Sequence, residues 1–96
     1  MEKKGQSEET IREYILSFSS FYKAAYARDM LEQSGISSTL KKLPPELVNS
    51  CGTGLYLRID SIQSVKNVLD EKQISVRGIY LIQRQGRQNK NFIKVK

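Results

Sequence analysis

Gly54-Leu55-Tyr56-Leu57-Arg58-Ile59, followed at once by Asp60-Ser61-Ile62-Gln63-Ser64-Val65-Lys66-Asn67-Val68-Leu69, is the stretch on which the fold turns. In its first half Leu55, Leu57 and Ile59 fall on one face of an extended chain, Tyr56 and Arg58 on the other. That alternation is a strand with one buried face. At Asp60-Ser61 the period changes. Ile62, Val65 and Leu69 recur at helical spacing, Val68 widens the stripe, and Asp60 or Ser61 suits the N-cap, which predicts a helix over 61–72.

Working outward, Val76-Arg77-Gly78-Ile79-Tyr80-Leu81-Ile82 reads as a strand. Upstream of Gly54 lies a loop holding both prolines and the only cysteine, and before it Ile36–Lys42 reads as another strand. Phe21 to Ser34 is helical. Phe21, Ala24, Ala27 and Leu31 form its stripe, Tyr22, Tyr26 and Met30 lie beside it, Ser19 or Ser20 caps it, and Gly35 ends it. Arg12–Phe18 supplies the first strand. Strands are thus expected near 12–18, 36–42, 54–60 and 76–82, with helices near 20–34 and 61–72. The order is a duplicated βαβ pattern. It predicts an α+β, ferredoxin-like βαββαβ fold, a four-stranded antiparallel sheet with two helices on one face and an open second face.

Domain boundaries follow from composition. Residues 1–10 are polar and without period and read as a disordered N-terminus; 11–83 form the single domain; 84–96 read as a basic flexible tail ending in a short apolar patch at Phe92, Ile93 and Val95, which can add to a sheet edge of the same or a neighbouring chain. Of the formal charge of +6, +5 belongs to that tail, where Arg84, Arg87, Lys90, Lys94 and Lys96 meet no acid. Residues 1–83 are almost balanced, with eleven Lys and Arg against ten Asp and Glu, so the domain is not a basic nucleic-acid reader by charge alone. With one cysteine and no histidine, an intrachain disulfide and a structural zinc site of Cys and His ligands are excluded, and no metal is expected. No run approaches the ~18 apolar residues of a membrane helix and no signal peptide is visible, so a soluble cytoplasmic protein with a reduced thiol and no cofactor is expected.

The loop Leu43-Pro44-Pro45-Glu46-Leu47-Val48-Asn49-Ser50-Cys51-Gly52-Thr53 is the anomaly in an otherwise ordinary chain. Pro44 and Pro45 stiffen the exit from the second strand and suit the first turn of a short helix. Cys51 is the one candidate for covalent chemistry. Gly52 and Gly54 permit positive φ, so the N–H groups around Ser50, Cys51 and Thr53 can converge on an anion. Lys41 and Lys42 stand at the loop base. In such a setting the thiol pKa falls below the free value of about 8.5. Against this stands the ordinary role of a lone cytosolic cysteine as a small buried hydrophobe. The polar neighbours Ser50 and Gly52 weigh against burial, and on residues alone the two readings balance.

Tyr14-Ile15-Leu16-Ser17-Phe18-Ser19-Ser20, Ala24, Ala27, Leu31-Glu32-Gln33-Ser34-Gly35-Ile36, Pro45-Glu46-Leu47 leading to Ser50-Cys51-Gly52, and Val76-Arg77-Gly78-Ile79-Tyr80 together resemble a small bacterial domain family. That family is described as "putative selenium/sulfur (Se/S) carrier protein-like". The resemblance spans about residues 13–82, and its most specific part is Ser-Cys-Gly after Pro-Glu-Leu. It implies a carrier or accessory protein rather than a stand-alone enzyme. Cys51 would hold a persulfide or perselenide taken from a cysteine desulfurase-type donor and pass it to an acceptor enzyme. Arg28, where a helix-face acid is expected, and the tail beyond Ile82 depart from the pattern. A second reading is a binding or regulatory module whose open face presents Tyr56, Arg58 and Tyr80 to a protein partner or single-stranded RNA. Open-face aromatics packing in a homodimer is the plainer account of those rings.

Overall fold

The computed structural model describes residues 11–47, 52–86 and 89–95. The chain runs through β1 (Arg12–Ser17), α1 (Phe21–Gln33), β2 (Thr39–Lys42), a 3-10 turn (Pro45–Leu47), β3 (Thr53–Ile59), α2 (Ile62–Glu71), β4 (Gly78–Gln85) and β5 (Asn89–Lys94). All five strands form one antiparallel sheet in the order β2-β3-β1-β4-β5.

Alternation along the strands decides what each face covers. Tyr14 and Leu16 of β1, Leu55 and Leu57 of β3 and Ile79 of β4 share one buried cluster with Ala24, Ala27 and Leu31 of α1 and Val65, Val68 and Leu69 of α2. Both helices therefore lie on the same face of the sheet. Ala24 and Ala27 are fully buried, and with no side chain beyond Cβ they let α1 settle close against the strands. Phe21, expected on the buried stripe, is 51% exposed: it opens the first turn, one turn outside the contact that begins at Ala24.

The helices start and stop as local chemistry dictates. Ser20 accepts a hydrogen bond from the Lys23 N–H at 3.2 Å and caps α1. At its other end the Gly35 N–H donates to the Glu32 carbonyl and the Ile36 N–H to the Leu31 carbonyl, with Gly35 at φ 86°. This Schellman arrangement lays Ile36 back onto the core beside Leu31. It also delays β2, which begins at Thr39 rather than at Ile36. α2 ends the same way: Gln73 donates to Asp70, Ile74 donates to Leu69, and Gln73 holds φ 57° without the freedom of a glycine.

The expected four-stranded sheet is corrected to five strands. β4 continues to Gln85, Gly86 takes φ 75°, and residues 89–94, assigned above to a flexible tail, return as β5. Phe92 pairs with Ile82, Ile93 with Leu81, and the Val95 N–H donates to the Ile79 carbonyl at 2.8 Å. The physical reason is that β5 is held largely by backbone hydrogen bonds to β4. A strand with Asn or Lys at four of its six positions does not advertise such bonds. An ion pair ties β4 in turn to β1: Arg84 Nε and Nη2 each lie 2.9 Å from the same carboxylate oxygen of Glu13.

Candidate functional site

The face turned away from the helices is best read in rows, since directly paired residues point to the same side of a sheet. Nearest the β2–β3 connection stand Lys41, Gly54, Ser17 and Gly78. The next row is Thr39, Tyr56, Ile15, Tyr80 and Lys94. Arg58, Glu13, Ile82 and Phe92 follow, and Arg84 beside Lys90 closes the far end.

This face is not open. Leu43 and Leu47, on either side of Pro44-Pro45-Glu46, fold back over it and bury Ile15 completely, with Tyr56, Tyr80, Ile82 and Phe92 packed around them. Gly54 makes room for the fold-back. A Cβ there would stand 2.5 Å from Leu43 Cδ2 and 2.6 Å from the Leu16 carbonyl oxygen. Gly78 plays a similar part for Tyr80, whose ring lies across it with atoms at 2.9 Å from a Cβ position. Between the two glycines, Ser17 is wholly buried and its Oγ has no hydrogen-bond partner among the described residues.

The loop base is pinned at both ends. Lys42 pairs with Thr53, the Leu43 N–H donates to the Gly52 carbonyl at 2.8 Å, and the Leu47 N–H donates to the Pro44 carbonyl at 2.9 Å to form the 3-10 turn. Tyr56 ties strand to loop: its hydroxyl donates to the Lys42 carbonyl at 2.7 Å, and Lys41 Nζ lies 5.0 Å from its ring centroid. Burial raises the Tyr56 pKa above its ordinary value.

Lys41, Lys42, Pro44, Pro45, Gly52, Thr53 and Gly54 are thus gathered at one end of the sheet, and Ser50 and Cys51 lie outside the described residues. Gly54 does not use the positive φ that glycine permits: it already belongs to β3 and serves packing instead. Tyr56, Arg58 and Tyr80 do share the outer face, with Ile15 between the tyrosines. Sequence reasoning missed Glu13, Ser17, Leu43 and Leu47. The uninterrupted apolar run Tyr14–Leu16 was the signal that both faces of β1 are covered.

Beyond Tyr56 the outer face forms a concave groove of about 420 Å³, bounded by Glu13, Lys41, Tyr56, Arg58, Arg84 and Lys90 among others. The Glu13 carboxyl is held below its ordinary value of 4.5, chiefly by its hydrogen bond to Arg84, with the charges of Arg84, Arg58 and Lys90 adding. Among the described residues no group of His, Cys, Asp and Glu side chains is placed to hold a metal ion, and no helix is long and apolar enough to cross a membrane.

No curated protein and no solved structure matches the chain. The family model described as "Putative Se/S carrier protein-like" matches residues 13–81, from the second residue of β1 into β4, and so takes in both helices and the whole β2–β3 connection with its cysteine; the chain belongs to this family.

Proposed function

We propose that the protein carries sulfur or selenium on Cys51, within a ferredoxin-like βαββαβ unit extended by β5. The observation that carries this reading is the family match, whose span includes the single cysteine of the chain in the connection between β2 and β3. The chemistry asks for one accessible thiolate and nothing more. The Cys51 thiolate attacks the outer sulfur of a donor enzyme's cysteine persulfide, the donor S–S bond breaks, and the donor cysteine leaves as a thiolate. Cys51 then bears the persulfide, and charge and oxidation state are conserved across the exchange. A selenium atom transfers by the same step. Release to an acceptor enzyme repeats it with Cys51 as the leaving group. Neither resolving cysteine, histidine nor metal is required, in keeping with a chain that has one cysteine and no histidine.

Lys41 and Lys42 at the loop base favour the anionic thiol, as do any N–H groups that Ser50, Gly52 and Thr53 direct towards it. Intact mass spectrometry after incubation with a cysteine desulfurase and cysteine is the test. One added sulfur atom, absent in Cys51→Ser, is expected; an unmodified wild-type chain, or loading that persists in Cys51→Ser, overturns the reading. Iodoacetamide should alkylate the native thiol below the ordinary thiol pKa of about 8.5. Reaction only after denaturation would mean a buried cysteine. The second reading, a binding module acting through the outer face, is favoured by one feature: Tyr56 and Arg58 both line the groove.

A further inference from the structure

The cations of the groove are spread one to a strand. Lys41 belongs to β2, Arg58 to β3, Arg84 to β4 and Lys90 to β5, with Glu13 of β1 the single acid among these groove residues. That acid is already matched by Arg84, so Lys41, Arg58 and Lys90 have no carboxylate bound to them among the described residues. From β2 to β5 the sheet crosses four inter-strand spacings, about 19 Å at ~4.8 Å each. Lys41 stands level with Gly78 and Lys90 level with Arg84, six residues further along β4 and so about 20 Å away in that direction, which makes the diagonal roughly 28 Å. A small oxyanion touches groups a few ångströms apart and cannot satisfy such a spread, whereas an extended chain of about eight residues spans it.

From this geometry we infer that the groove is a docking site for an extended acidic peptide segment of a partner protein, laid across β3, β1 and β4 beside the cysteine loop. Its carboxylates meet Lys41, Arg58 and Lys90, and its backbone lies over Tyr56 and Ile82. Single-stranded RNA is the less suitable polyanion, because sequence-tolerant binding of single strands relies on aromatic rings free to stack on bases. Here Tyr56 is tethered to the Lys42 carbonyl and faced by Lys41, Tyr80 lies across Gly78, and both are packed around Ile15. Lys41 and Tyr56 belong both to the groove and to the described base of the β2–β3 connection, since Lys41 pairs with Gly54 and the Tyr56 hydroxyl donates to the Lys42 carbonyl. This inference goes beyond the carrier reading and does not require Cys51 to be loaded.

The test uses the full chain, isotope-labelled, titrated with an acetylated octapeptide of alternating Glu and Ser. Its controls are the matching Lys-Ser peptide and an eight-nucleotide oligouridylate. Amide shifts at Lys41, Arg58, Arg84 and Lys90 that saturate with the acidic peptide and weaken with added salt are expected. Affinity should fall about tenfold or more in Arg58→Glu/Lys90→Glu, two exposed positions whose reversal turns attraction to repulsion. Cys51→Ser should bind as the wild type does, which separates failure of docking from failure of sulfur loading. Equal binding of the basic peptide, shifts confined to other surfaces, or an oligouridylate that binds more tightly than the acidic peptide would each overturn the inference.

Discussion

Replacing Gly54 by alanine tests the account of how the cysteine loop is held. The added methyl would lie 2.5 Å from Leu43 Cδ2 and 2.6 Å from the Leu16 carbonyl oxygen, where real contacts begin near 3.4 Å. The leucine tip has room to rotate at modest cost. The carbonyl does not, because Leu16 sits in β1, paired on one side with Leu55 and on the other with Ile79. Overpacking costs typically 1–3 kcal/mol, and a clash with fixed backbone in a central strand belongs to the upper half, about 2–3 kcal/mol. For a domain of this size that lowers the melting temperature on the order of 10–20 °C. Urea unfolding followed by tyrosine fluorescence reads the free energy. Leu43→Ala alone loses a side chain that is only 6% exposed and should cost about 2–3 kcal/mol. Since it removes one of the two clashes, the double variant should be less destabilised than the sum, by about 1 kcal/mol. A change of less than about 0.5 kcal/mol in Gly54→Ala would refute the argument, because it would mean that the loop does not press on β3 at all.

Truncation after Gly86 removes β5 and should cost about 1–2 kcal/mol through the half-buried Phe92 and its neighbours, read as a fall in melting temperature. Gln73→Gly should stabilise by about 0.5–1 kcal/mol, since left-handed strain of about 1–2 kcal/mol is relieved against the backbone entropy of glycine; chemical denaturation decides the sign. Because Arg84 holds the folded Glu13 pKa below 4.5, the contribution of this pair is present above that value and is lost as pH falls through the lower folded one. Arg84→Ala should return the Glu13 titration, followed by carboxyl NMR, towards 4.5 and flatten the acid side of the stability profile. An unchanged titration would dissolve the pair.

Strands and helices with strong periodicity were legible from the chain alone. The alternation of Leu55, Leu57 and Ile59, the Val65–Leu69 stripe and the cap at Ser20 all act within a few residues, and nothing distant overrides them. β5 was not legible. Its stability comes from pairing with β4, and Asn89–Lys94 carries too little apolar surface for composition to reveal it. The covered outer face was hidden for a related reason. Leu43 and Leu47 were read as parts of a loop, and only the turn at Pro45–Leu47 brings both onto Ile15. Gly54 shows the same limit from the other side. Its place after the cysteine suggested conformational freedom, whereas its use is to leave space for a side chain eleven positions earlier. The residues flanking the thiol were picked out by type, and the groove of cations was not, because its members come from four separate strands.

The fifth strand has a bearing on how this protein behaves at high concentration. Ile79-Tyr80-Leu81-Ile82 is uncharged, rich in β-forming residues and free of proline, the composition that self-associates when a sheet edge presents it. β5 covers it and becomes the edge in its place, offering Lys90 and Lys94 to any approaching strand. The opposite edge, β2, is only four residues long and ends in Lys41 and Lys42. Both borders of the sheet thus end in charge, which opposes the stacking of one copy against another. A chain shortened at Gly86 loses that protection on one side, and its solubility should decline faster than its stability does.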